Sequence, residues 1–150
     1  MKYIASLAIA AGAIGLAAPA VAQFAKPEDA VKYRQNALFV MGQHFGRIGA
    51  MVNGRVPYDA KVATDNAEIV SDMSKLPWAG FAPGTERLSR KAKPEIWTEQ
   101  VKFKEHSDKL VSETAKLVAA ARTNNLDNLK TAFGSAAGTC KACHDAYQAN

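Results

Sequence analysis

An all-α, antiparallel four-helix bundle is the fold this sequence predicts, and three observations predict it. Apolar residues recur at steps of three, four and seven along four separate stretches. Proline, glycine and asparagine stand where each period fails. The breaks are short except for one, so successive helices should lie beside each other and run in opposite directions.

The first 22 of the 150 residues are expected to stay outside this fold. Lys2 gives a short positive start, and Ile4 to Ala18 is an apolar run. Pro19-Ala20-Val21-Ala22 then ends in an A-x-A pattern. This reads as a secretory signal cleaved before Gln23, suited to a bacterial periplasm. A membrane anchor is the weaker alternative, because the run falls short of the ~20 residues that span a bilayer. Residues 23–150 then form one domain, and without Lys2 the formal charge of +5 falls to +4. That charge is dispersed and argues for solvated helix faces, not for nucleic acid.

Pro27, Glu28 and Asp29 suit a first helical turn. Val31, Leu38, Met41, Phe45, Ile48 and Val52 carry the first stripe, and Asn53-Gly54 ends it. Arg34 shares the face of Leu38 and needs either solvent or an anionic partner. The second helix starts near Asp59, carries Val62, Asn66, Ile69, Val70, Met73 and Leu76, and stops at Pro77. Residues 77–93 have no helical period, and Trp78 and Phe81 are expected to cover part of the core. The third helix starts at Pro94-Glu95 and ends near Arg122, with Ile96, Phe103, Leu110 and Leu117 spaced by seven. The fourth runs from about Leu126 to Tyr147, with Leu126, Leu129, Phe133, Ala136, Cys140, Cys143 and Tyr147 inward. Gly134 and Gly138 are expected to give it a low surface for a close neighbour.

That last helix holds the chain's only two cysteines, in Cys140-Lys141-Ala142-Cys143-His144. C-x-x-C-H is the haem-attachment pattern. Each thiol adds across one haem vinyl group, and the adjoining histidine reaches the iron from one side. A redox dithiol or a disulfide is the alternative, but a thioredoxin-like site wants a βαβ context that the pattern lacks. Structural zinc wants four ligands, and only His44 and His106 remain, neither at ligand spacing. Both are expected to be ordinary, partly exposed side chains. The predicted fold is therefore a four-helix bundle with covalently bound haem c, one per chain.

A haem motif at the end of a fourth helix resembles the cytochrome c′ family, the class II c-type cytochromes. The resemblance rests on Cys140 to Tyr147, on Tyr33-Arg34-Gln35, on Leu76-Pro77-Trp78 with Phe81, and on Pro83-Gly84-Thr85-Glu86 before Pro94-Glu95-Ile96-Trp97. It implies a five-coordinate, high-spin haem with His144 as its only protein ligand. It implies an apolar distal pocket, here Leu38, Met41, Trp78 and Phe81. Arg34 and Gln35 would contact a propionate, with Thr85 and Glu86 as further haem contacts. It also implies NO and CO as ligands and a homodimer formed through the first two helices. One position departs: Gln148 stands where many members carry Arg or Lys.

Function turns on the sixth iron position. In the low-spin relatives a methionine lies one turn after the arginine; here that residue is Leu38, which cannot ligate. The expectation is a periplasmic NO-binding haem protein and not an enzyme, since no acid or base is placed beside the distal iron site. The alternative is a soluble electron carrier with a periplasmic redox partner, with Met41 as the sixth ligand.

Overall fold

The computed structural model describes residues 23–149. The signal and its cleavage point fall at the edge of or outside these residues. Five helices are present among them: α1 (Pro27–Val52), α2 (Ala60–Met73), α3 (Glu95–Thr98), α4 (Gln100–Ala121) and α5 (Leu126–Tyr147). The four long ones form the bundle. α1 packs on α2, α2 on α4, α4 on α5, and α5 closes the ring against α1. Cross-contacts fix the directions. Ser74 meets Thr114 while Arg122 reaches back to Glu68, so α2 and α4 run antiparallel.

Local chemistry sets the ends. Pro27 opens α1 with Glu28 and Asp29 in its first turn. Asp59 accepts the Val62 amide at 2.9 Å to cap α2, and Asn125 accepts those of Asp127 and Asn128 to cap α5. Gly54 takes the left-handed conformation that turns the chain out of α1.

Four sequence expectations change. α2 stops at Met73, before Leu76, and the fully buried Ser74 hydroxyl bonds back to Ser71 at 2.7 Å. Its inward face is Ala63, Asn66, Ala67 and Val70, whereas Val62, Ile69 and Leu76 point outward. Two apolar stripes lie side by side on this helix, and the one with small side chains wins because α2 must pack closely on both α1 and α4. The third predicted helix is broken at Glu99, whose backbone leaves helical geometry (φ −112°, ψ 44°). The seven-residue spacing survives the break, with Ile96, Leu110 and Leu117 buried. Gly134 and Gly138 face open space instead of a neighbour. The close approach is made by Gly49, where a Cβ would come within 3.0 Å of the Phe133 ring.

Residues 77–93 form two short 3-10 turns, Pro77–Gly80 and Glu86–Leu88, laid against α1. The core is continuous between the helices: Ile48, Val52, Ala63, Ala67, Leu117, Ala121 and Leu129 are buried together. Among the described residues no helix is long and apolar enough to cross a membrane.

Candidate functional site

Towards the amino end of α1 and the carboxyl end of α5 the packing opens into a cavity of about 280 Å³. α1 supplies Arg34, Gln35, Leu38 and Met41 to its wall, and the turn after α2 supplies Trp78 and Phe81. α4 contributes Phe103, His106 and Leu110. α5 contributes Cys140, Cys143, His144 and Tyr147. Cys140 and Cys143 lie on one helical turn, with His144 directly after them at the carboxyl end.

The wall is mostly aromatic and aliphatic. Phe103 contacts Phe81 edge-on with centroids 4.9 Å apart, and it meets Tyr147 in the same way at 5.3 Å. Trp78 is held by its indole N–H, which donates to the Ser74 carbonyl at 2.6 Å.

Arg34 is the one buried cation in this wall, 2 % exposed. Its Nη1 donates to the Gly80 carbonyl at 2.7 Å and to Thr85 Oγ1 at 2.9 Å. Thr85 in turn donates to the Ala82 carbonyl at 2.7 Å, and the Trp97 indole N–H donates to the same carbonyl at 3.2 Å. The guanidinium lies 4.4 Å over the Phe81 ring. Burial pushes the Arg34 pKa down while the Glu86 carboxylate pulls it back up. Nη2 is buried with no hydrogen-bond partner among the described residues. An orphaned guanidinium N–H in a cavity wall is a strong donor awaiting an anion.

Thr85 and Glu86 do not line the cavity. Thr85 is buried behind Arg34 and orients it. The Glu86 carboxylate accepts the Gly84 amide at 3.0 Å, and backbone amides hold its pKa below the ordinary value. Thr85 thus meets the cavity through Arg34, and Glu86 acts on the Arg34 charge from the same turn.

Sequence reasoning missed two features. His106 lines the cavity, its ring 5.5 Å from that of Tyr147 and edge-on to it. The signal was available, since Phe103, His106 and Leu110 stand at helical spacing on one face. Gly80 is the second. A Cβ there would fall 2.6 Å from the Ala30 carbonyl and 2.7 Å from Arg34 Cβ. No local pattern announces that contact. His44 does behave as a partly exposed side chain, its Nδ1 2.8 Å from Asn66 Oδ1 between α1 and α2.

The thiols do not suit a redox dithiol. Burial pushes Cys143 up to about 11, with Cys140 adding to the shift, and burial raises Cys140 too. Cys143 also lies close to the carboxyl end of α5, where the helix dipole opposes a thiolate. Reactive cysteine pairs have depressed values. Among the described residues no three His, Cys, Asp or Glu side chains group as a metal site needs. An apolar slot, two neutral thiols, an adjoining imidazole and an unpaired guanidinium N–H together fit a flat apolar group that carries carboxylates.

The family model described as Cytochrome C' matches residues 29–148. The chain belongs to the cytochrome c′ family. Cytochrome c′ of Alcaligenes xylosoxydans xylosoxydans is 51% identical over 126 residues, covering 84% of this chain and 98% of the relative. That of Rubrivivax gelatinosus is 44% identical over 127 residues, with 84% and 98% covered. The crystal structure of the Rubrivivax cytochrome c′ superposes with a TM-score of 0.81, covering 85% of this chain and all of that one. A nitric oxide complex of a variant cytochrome c′ from Alcaligenes xylosoxidans superposes at 0.80, with 48% identity and 85% and 99% covered. Haem c is accordingly the cofactor of this cytochrome c′, and both cysteines stand in the wall of the cavity shaped to take it.

Proposed function

We propose that this cytochrome c′ is a periplasmic gas-binding protein in which His144 is the only protein ligand to the iron. The observation that carries the proposal is the composition of the cavity wall. Leu38, Met41, Trp78 and Phe81 face one space together with Cys140, Cys143 and His144. Leu38 stands one turn after Arg34 and offers the iron no donor atom. Such a wall excludes charged ligands and admits small neutral gases, NO and CO. The nitric oxide complex of the Alcaligenes relative supports the same reading.

Cys140 and Cys143 hold the haem by two thioethers, and bound haem supplies an iron to which a gas can bind. The chain's own groups do the rest. The α5 backbone fixes His144 relative to the two attachment points. Arg34 would hold a propionate through its free Nη2, Gln35 stands beside it on the wall, and Thr85 and Gly80 hold the guanidinium in place. Leu38 limits the room for a ligand. The apolar run before Gln23 supports export, where c-type haem is assembled. Exposed Phe39 (64%) and Val40 on α1, with Val62 and Ile69 on α2, support a homodimer through these two helices.

A second reading has its own observation. Met41 is buried in the same wall, and a thioether ligand there would make a low-spin electron carrier. The optical spectrum of the reduced protein, with and without NO, decides. A high-spin ferrous spectrum that changes on NO addition is the expected result. A low-spin spectrum with a methionine-to-iron charge-transfer band and no NO uptake would replace the first reading with the second.

A further inference from the structure

Arg87, Arg90, Lys91 and Lys93 fall within seven residues. Among the described residues none of the four makes an ion pair. α2, α4 and α5 treat their cations differently. Lys61, Lys75, Lys102, Lys104 and Lys141 each meet a carboxylate three or four residues away. Lys109 and Lys116 share Glu113. Among the described residues α1 leaves Lys32 and Arg47 without an ion pair, and Lys26 and Arg55 beyond its ends lack one too, but these are scattered along the chain, whereas residues 87–93 crowd four unpaired cations into seven positions.

The segment is held in place. Ala92 pairs with Gln148 in an antiparallel bridge. The Lys93 amide donates to the Tyr147 carbonyl at 3.0 Å, and the Ala149 amide donates to the Lys91 carbonyl at 3.1 Å. Lys93 Nζ donates to the carbonyls of Asp145 and Ala146 at the end of α5. These bonds fasten the cations to the residues that follow His144. Of the acids nearby, Asp145 pairs with Lys141, Glu99 bonds Lys102 and Tyr147, and Glu86 accepts the Gly84 amide while lying close to Arg87; Glu95, two residues after Lys93, is exposed.

Ser89, Lys91 and Ala92 also form part of the cavity wall, next to His144 and Gln148. Lys91, His144 and Gln148 are exposed, whereas Met41, Ile96 and Leu110 on other parts of the wall are buried. The cavity therefore meets solvent beside the basic segment. This inference rests on the haem occupying that cavity, but not on which gas it binds.

We propose that residues 87–93 are the docking surface for an acidic one-electron redox protein, which exchanges its electron with the haem at this rim. One electron leaves the partner's reduced centre, which is oxidised, and the ferric iron is reduced to ferrous; no bond forms and no proton moves. Uncompensated charge of one sign around a site raises encounter rates with partners of the opposite sign. A protein partner fits better than a lipid surface, because Leu88 is the only large exposed apolar side chain in the segment.

The test uses the haem-loaded protein and two kinds of probe. Hexacyanochromate(III), a redox-inert paramagnetic anion, should broaden the backbone amide signals of residues 87–93 and leave the α1–α2 turn sharp. Oxidation of the ferrous protein by ferricyanide should slow about tenfold at low ionic strength in Arg87→Glu with Arg90→Glu. Oxidation by the cationic tris-phenanthroline cobalt(III) should speed up. Arg55→Glu with Lys130→Glu changes the charge equally at the far end of the bundle and should alter neither rate as much. Equal effects from both double variants, or broadening spread evenly over the surface, would overturn the proposal. So would co-sedimentation with phosphatidylglycerol vesicles at about 0.15 M salt that the Arg87/Arg90 variant abolishes, since that assigns the segment to lipid. Loss of covalent haem in the unaltered protein would instead count against the haem reading, and a visible spectrum separates the two failures.

Discussion

The two ends of the bundle solve opposite problems with the same four helices. At the end where α1 turns into α2 and α4 into α5, Ile48, Ala63, Leu117, Ala121 and Leu129 are wholly buried against one another. Small side chains there let the helices approach, and Gly49 admits the Phe133 ring. At the other end the helices are held apart by rings: Trp78, Phe81, Phe103 and Tyr147 surround a space of about 280 Å³. One end is filled by residues the chain encodes. The other is shaped for a group the chain does not encode, and a buried guanidinium there keeps an N–H in reserve. The difference teaches where to look for function in a bundle: at the end that leaves polar and apolar valences open.

The sharpest way to break this contrast is to remove the attachment points. Cys140→Ala with Cys143→Ala should lose all covalent haem, read as haem that acid–acetone extracts completely and that no longer runs with the chain on a denaturing gel. At the closed end, Leu117→Ala should cost about 2–5 kcal/mol, because the fully buried site cannot collapse onto the space left behind. Denaturant unfolding measures it.

Gly80→Ala should cost less, about 1–3 kcal/mol, by forcing the turn away from Ala30 and Arg34. It should also disturb the haem spectrum, since Gly80 carries the carbonyl that holds Arg34. Leu38→Ala tests the open end alone. It should speed CO association about tenfold, equivalent to about 1.4 kcal/mol of barrier, and destabilise the fold less than Leu117→Ala. Unchanged CO kinetics in flash photolysis would show that Leu38 does not limit access to the iron.

The smallest effect concerns pH. Hydrogen bonds from Lys116 and Lys109 hold the Glu113 carboxyl below its ordinary value in the fold. A depressed carboxyl stabilises the fold above its unfolded pKa, and that stabilisation disappears as pH falls through the folded value. Glu113→Gln should therefore be less stable than the parent near pH 7, with the gap closing on acidification. A constant gap across the titration would assign the loss to packing instead.

The sequence was enough for much of this. Its periods placed four helices, because an amphipathic stripe is a local property that burial against any neighbour satisfies. Cys140, Cys143 and His144 were legible from their spacing, and Arg34 from being a charge on an apolar face. What escaped depended on neighbours distant in the chain. The inward face of α2 was misjudged because two apolar stripes compete on it, and only packing against α1 and α4 chooses between them. His106 joined the cavity because Tyr147 comes to meet it from another helix. Thr85 holds Arg34 because the chain after α2 folds back against α1. By itself the sequence determined the helices, the haem motif and the family. The tertiary structure alone decided which faces turn inward, how Gly80 and Thr85 hold Arg34, and that an unpaired basic segment lies at the rim of the cavity. The reason is physical: a stripe and a motif are written in local spacing, whereas a cavity and its charge exist only where several segments converge.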